Sequence, residues 1–414
     1  MSAADNANRP YITITADTHA GANLAAYREY LDPNRRSEFD AWRDSYVNPS
    51  RKHIGGKKQK NWDTEQRMAD LEQDGVCAEV IFPNTVPPFY AKAFHISPPP
   101  LPEQFEQQLA GTRAHNRWLA DWCAETPERR AGIGLIHLND IDEAIKDVQW
   151  IANAGLRGGV LLPLPPDDMK HIAPLYAPEY DRLWSVIQDC DLVMNQHSGA
   201  GAPDYGDYPA ADALWIMETS FFSQRGFKQL IFSGVFERFP KLKYILTESG
   251  CAWVPEVLRR MDMIHRGMKA GAIGEMDYAD AQALKESPTF YAKRNCWYGA
   301  SFPSPREIVD RDVVGVDRIL WGSDYPHYEG TFPYTREAIR LTFADIDETE
   351  VRMMLGENAA GLYNFDLEAL SPIAERVGVT PESVRVPLVD IPEDTKCMML
   401  RNARHEMELK RRNS

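Results

Sequence analysis

The chain has no apolar run near the roughly 20 residues that a membrane-spanning helix needs, so the sequence offers no candidate span. Cysteine is scarce. The six in 414 residues are Cys77, Cys123, Cys190, Cys251, Cys296 and Cys397, widely scattered and without a CxxC pair. That spacing excludes a zinc ribbon and gives no disulfide framework; it suits reduced, buried thiols in a cytoplasmic enzyme. Positive charge is short as well. There are 46 Lys and Arg against 61 Asp and Glu, a formal net charge of −15. An acidic surface repels phosphate backbones, which argues against nucleic acid as a partner. The basic runs Lys57–Lys58 and Lys410–Arg412 read as solvated surface. The opening residues, MSAADNANRP, carry neither a basic n-region nor an apolar h-region, so no export signal is legible and the cytoplasm is the expected compartment.

What is present is alternation. Short apolar segments end in polar or glycine-containing turns and are followed by helical patterns. The strand-like segments are YITITADTHA, CAEVIFPN, AGIGLIHL, RGGVLLPL, LVMNQHSG, LKYILTESG, a weaker TFYAKRNCWYGA, and RILWGSDYP. Helical patterns between them stop at signals such as Gly75 and Gly155. Eight strand–helix units with continuous apolar strands predict a parallel sheet covered by helices, closed as a (β/α)₈ TIM barrel. An open doubly wound sheet would need a glycine-rich phosphate turn after the first strand. ADTHAGANLAAY is not one. Long insertions follow strands one (20–62), two (PNTVPPFYAKAFHISPPPLP) and five (SGAGAPDYGDYPAADA), at the barrel end where active sites lie. The barrel is expected over 1–366, with 367–414 as a partly helical C-terminal extension.

The chemistry concentrates at the same strand ends. Strand one ends in Asp17 and His19, strand five in His197, strand six in Glu248 and strand eight in Asp324, with His327 just beyond. Alternate residues on a strand share a face, so Asp17 and His19 can both point inward. Unpaired buried carboxylates are strongly disfavoured, and a cation among them removes the problem, since carboxylates and imidazoles are its natural ligands. A lone strand-end histidine is more often structural than a ligand, and a lone aspartate before a helix is usually a cap; five such residues at one barrel end favour a single metal site. His95, His137 and His171 have no partner visible in the sequence and read as structural or peripheral. Trp297, Tyr298 and Tyr325 read equally as pocket lining or core.

Taken in order, ITADTHA, RMADLEQDGV, NQHSG, SGVFERFPKLKYILTESG, ILWGSDYPH and GENAAGLYNF resemble the amidohydrolase superfamily over roughly residues 11–366. The resemblance is to the branch containing aminocarboxymuconate semialdehyde decarboxylase and γ-resorcylate decarboxylase. It implies a barrel with a divalent metal held by Asp17, His19, His197 and Asp324, and a homodimer. Two positions depart from the pattern. Asp17 stands where the branch usually has the first histidine of His-x-His, and Glu248 stands where it usually has the strand-six histidine. Three activities fit this set. The leading expectation is a metal-dependent hydrolase of a small organic, cyclic or carboxylic substrate: Zn or Mn activates water, Asp324 takes its proton, and Glu248 or His327 assists. The first alternative is a dinuclear non-haem iron or iron–manganese oxygenase using all six residues as ligands. The second is a non-oxidative decarboxylase in which Asp324 protonates the carbon. One or two metals per chain are expected accordingly.

Overall fold

Segments that are apolar on both faces become strands sandwiched between a filled interior and a layer of helices. The computed structural model describes residues 9–47, 58–299 and 301–413. Eight parallel strands are β1 (Ile14–Ala20), β2 (Ala78–Pro83), β3 (Arg130–Leu135), β4 (Gly159–Leu161), β5 (Val193–His197), β6 (Lys243–Thr247), β7 (Cys296–Gly299) and β8 (Ile319–Leu320). They pair in chain order from β1 to β8. The ends meet through a bridge between Thr18 and Tyr325. Ala16 N–H donates to Trp321 O (2.8 Å), His19 N–H to Tyr325 O (2.7 Å) and Asp324 N–H to Asp17 O (2.9 Å). The TIM barrel is therefore as expected.

Side chains divide as a barrel requires. Ile14, Ala16, Val80, Phe82, Ile133, Leu161, Val193, Ile245 and Leu320 fill the interior, while Ile81, Met194 and Leu246 face the helices. Gly134 permits a close helix approach, because a Cβ there would sit 2.4 Å from Ile151 Cδ1.

One expected strand is largely something else. TFYAKRNCWYGA is the helix Pro288–Asn295 followed by the four residues of β7. Ser287 Oγ accepts from Phe290 N–H and Pro288 occupies the first turn, two start signals that outweigh the β-propensity of Thr289, Phe290 and Tyr291. The stretch after β5 is a single helix, Ala211–Phe232, running through Gly226 and ending before Gly234, whose φ is +71°. The insertion after β1 forms short helices, among them Tyr27–Tyr30 and Arg36–Ser45; its residues 48–57, with Lys57 of the first basic run, lie outside the described residues. Past residue 366 come the helices Leu367–Val377, Pro381–Val384 and Met398–Asn413. Ile391, Cys397 and Leu400 pack there against Ala338, with Phe302 and Tyr334 partly buried beside them.

Asp74, buried after the helix Thr64–Gln73, gives a pH prediction. Burial pushes its pKa up to about 7, against donors from the Thr335 hydroxyl and N–H. A carboxyl raised in the fold binds its proton more tightly there than in the unfolded chain. Its contribution is therefore full at low pH and lost as pH rises from about 4 through about 7. Asp74→Asn is expected to raise stability at pH 8 by on the order of 2 kcal/mol and to change it little at pH 4. Urea melts at both pH values check this; a loss of stability at pH 8 contradicts it.

Candidate metal centre

β1 does not reach the site by simple alternation. Thr15 pairs with Glu79, but Thr18 pairs with Ile81, so β1 carries one extra residue between them. Ile14 and Ala16 face the interior, and after this bulge Asp17 and His19 face it too. Re-aiming a side chain at a barrel rim is a common use of a bulge. Behind the strand, Thr18 Oγ1–H donates to Glu79 (3.0 Å) and Arg67 donates both to Glu79 (2.6 Å) and to His19 O (2.9 Å). Arg67 and Glu79 are fully buried, and this paired network fixes the His19 backbone.

Asp324 and Glu248 both lie just past strand ends in the left-handed region, with φ of +58° and +55°. Each such residue costs about 1–2 kcal/mol. Asp324 turns its carboxylate over the barrel mouth while its N–H holds Asp17 O.

Four side chains converge. His19 Nε2 lies 3.5 Å from Asp17 Oδ1 and 3.3 Å from Asp324 Oδ1, and His197 Nε2 lies 3.5 Å from Asp17 Oδ1. All are buried, and among the described residues Asp17 Oδ1 and Oδ2, His19 Nε2, His197 Nε2 and Asp324 Oδ2 have no hydrogen-bond partner. Unmet buried polar atoms cost about 1–3 kcal/mol each. Two ligand atoms about 2.1 Å from a cation at tetrahedral angles lie about 3.4 Å apart, and the three distances above match that; Asp324 joins through His19, in a set with His327 rather than with Asp17 and His197. The tautomers fit as well. His19 Nδ1–H donates to Pro83 O (3.2 Å) and His197 Nδ1–H to Ser198 O (3.0 Å), because a carbonyl can only accept. Each ring therefore offers its Nε2 lone pair inward. Two carboxylates and two imidazoles suit zinc, manganese or iron.

The other two expected ligands occupy different places. Within 4.8 Å the donors form two sets, Asp17–His19–His197 and His19–Asp324–His327. The sets share His19, which has a single free nitrogen. His327 is half-buried, with Nδ1 2.7 Å from Asp324 Oδ1 and Nε2 3.2 Å from Asn84 Oδ1. Asn84 Nδ2 donates to Asn61 Oδ1 (2.6 Å), which turns its own oxygen toward His327. Both ring nitrogens thus face acceptors. Glu248 is in neither set and is 30 % exposed; its Oε2 lies 3.4 Å from His197 Nδ1, on the far edge of the ring, and accepts from the Ser198 hydroxyl (2.8 Å).

The electrostatics follow. Burial opposes the charge on Asp17, but the two imidazoles beside it hold its carboxyl well below the usual range. Burial likewise opposes a charge on His197, and Asp17 and Glu248 outweigh it, raising the ring to about 9. Burial works against His327 too, but the Asp324 carboxylate holds it up at about 10. At Asp324 burial favours the neutral acid, yet His327 and His19 keep its pKa lowered. Glu248 rises to about 7, through burial and then the Asp324 and Asp17 charges, against the pull of His197.

His95 is the site residue that the sequence reading passed over. The loop after β2 brings its ring to 5.3 Å from that of His19 and 5.1 Å from that of His197. The only signal was its place in an insertion at the right end of the barrel. His137 and His171 are peripheral as expected, bonding Tyr90 and Pro100 O respectively. Tyr298 and Tyr325 are buried core residues.

A sequence profile described as Amidohydrolase matches residues 92–365. γ-Resorcylate decarboxylase of Rhizobium sp. is 25% identical over 233 residues, 52% of this chain. The match spans 65% of that enzyme, slightly under two thirds of its length. The fold resembles 5-carboxyvanillate decarboxylase from Sphingomonas paucimobilis, with a TM-score of 0.62 at 20% identity over 86% of this chain and 99% of that one. It also resembles the dihydroxybenzoic acid decarboxylase of Polaromonas sp., solved with bound manganese and the inhibitor 2-nitroresorcinol, with a TM-score of 0.59 at 17% identity over 85% of this chain and 96% of that one.

Proposed function

The chain belongs to the amidohydrolase family, and we propose that it is a metal-dependent carboxy-lyase, a non-oxidative decarboxylase of a small aromatic or enoic acid. This was the second alternative of the sequence reading. The carrying observation is the Asp324–His327 pair, joined at 2.7 Å with both imidazole nitrogens facing acceptors. Hydrolysis begins with a base that takes a proton from water. Here the pair rests with its proton aboard, so it is set as an acid, and decarboxylation needs an acid. The dinuclear oxygenase reading needs donors for two metals, and among the described residues the two sets share one nitrogen.

In this reading Asp17, His19, His197 and Asp324 hold a divalent cation, manganese or zinc. When bound, the cation supplies Lewis-acid attraction for anionic substrate oxygens. Phe82, 4.7 Å from the His197 ring, gives an aromatic substrate an apolar wall. A proton passes from His327 Nδ1 to Asp324 and on to the carbon that bears the carboxylate. The bond to the carboxyl carbon then breaks, its electron pair stays on the substrate, and CO₂ leaves; solvent returns the proton to His327. The likeness to decarboxylases of aromatic acids supports this substrate class. Manganese-loaded protein tested on a panel of hydroxybenzoates is expected to release CO₂. Hydrolysis of amides or lactones without CO₂ release overturns the reading.

Two variants follow. His327→Gln is expected to lower kcat by about 10²–10⁴-fold. In the native enzyme kcat falls as pH rises through the His327 value, with a midpoint no higher than about 10; His327→Gln removes that limb. Glu248 orients His197 from its outer edge, so Glu248→Gln is expected to weaken metal affinity by about 10–100-fold. Chelator competition reads this, and unchanged affinity contradicts it.

We also propose a homodimer. Leu214, Ile216, Met217 and Phe221 are exposed along the helix after β5, which supports burial against a second copy. Light scattering that returns a single-chain mass overturns this.

A further inference from the structure

Among the described residues four histidines cluster at the barrel mouth, and the proposed metal centre with its acid pair uses three. His95 remains. Among the described residues it belongs to neither donor set. Yet its ring is 5.3 and 5.1 Å from theirs, the distance at which it borders whatever those residues hold. Its Nδ1 is buried and has no hydrogen-bond partner among the described residues. A buried imidazole nitrogen without a partner is a cost that a ligand removes.

The loop is built to keep the ring there. Phe94 is buried, 5.7 Å from both the Tyr90 and the His137 rings. Asn139 Nδ2 (2.8 Å) and His171 Nε2 (3.0 Å) both hold Pro100 O, further along the same loop. Ile96 packs on Gly199, where an added Cβ would sit 3.0 Å from Ile96 Cγ2. Gly199 lies just past β5, so the loop after β2 is tied to the strand end that supplies His197. His137 and His171, which have no contact with the donor sets, thus act as anchors for this loop.

We propose that His95 is a further substrate-binding residue, whose imidazole donates a hydrogen bond to an acidic oxygen of the substrate held at the metal centre. The chemical class is a carboxylate with a neighbouring hydroxyl, or another bidentate anion of that shape. The proposal takes its substrate class from the decarboxylase reading above, and its test is chosen to separate the two.

The test uses cobalt-loaded full-length protein, with salicylate binding followed in the visible d–d spectrum. His95→Phe keeps an aromatic ring without a donor, and His95→Gln restores one. The expected result is unchanged metal content and melting temperature in both variants. Salicylate affinity falls by about tenfold or more in His95→Phe and is largely recovered in His95→Gln. For turnover, KM rises more than kcat falls. Equal salicylate affinity in native protein and His95→Phe overturns the proposal, as does loss of metal in His95→Phe, which would make His95 a ligand. If salicylate binds the native protein more tightly than His95→Phe but no hydroxybenzoate releases CO₂, the decarboxylase reading falls and His95 keeps its role. If salicylate does not bind the native protein at all, both fall.

Discussion

Asp324→Asn is expected to lower CO₂ release by about 10³-fold or more while leaving the fold intact. The side chains are nearly the same size, and asparagine tolerates the left-handed φ of +58° that this position requires. What changes is charge and proton traffic. Asp324 Oδ1 accepts from His327 Nδ1 at 2.7 Å. An amide there removes the carboxylate that keeps His327 protonated and cannot carry a proton onward to carbon. The amide oxygen of asparagine can still face a cation, as alanine in place of a ligand cannot, so metal content is expected to fall only partly. Parallel assays of CO₂ release and metal content check this. Activity above a tenth of the native value removes Asp324 from the proton path.

His197→Ala has the second large effect. Its Nε2 has no hydrogen-bond partner among the described residues and lies 3.5 Å from Asp17 Oδ1. Removing it takes one of two imidazoles from the donor set. Bound metal is expected to fall below about a tenth of the native amount after dialysis against a weak chelator, since alanine removes a ligand and puts no donor in its place. The loss also reaches stability. A cation at about 100 times its Kd stabilises the native state by about 2.7 kcal/mol, so manganese is expected to raise the melting temperature of the native protein and not that of His197→Ala. An equal rise in both contradicts the assignment.

The barrel was legible because fully buried parallel strands read as continuous apolar runs, and β4 and the part of β3 past Arg130 are such runs. The cluster proposed as the metal centre was legible because Asp17, His19, His197 and Asp324 stand at or just past the ends of strands. Three things were not. The inward pairing of Asp17 and His19 was expected from strict alternation, but Ile14 and Ala16 already face inward, and only the bulge before Thr18 brings both facts together. A bulge leaves no mark in a sequence of this kind. Nor did the sequence separate ligands from partners. His327 and Glu248 are good ligand types near strand ends, but which nitrogen faces which oxygen depends on Asn84 and Ser198, remote in sequence from the residues they orient. His95 was missed because the path of a proline-rich loop is set by where it is clamped, here by Asn139, His171 and Gly199. The helix Pro288–Asn295 was missed for a local reason: two start signals were present, and aromatic β-propensity was given more weight.

The most direct test of the account is metal stoichiometry, by elemental analysis of the full-length protein after manganese loading and desalting, with His327→Gln alongside. The account predicts one divalent cation per chain in both, because His327 serves Asp324 and not the metal. Two cations per native chain, with one lost in His327→Gln, would contradict it and place His327 among the ligands of a dinuclear site.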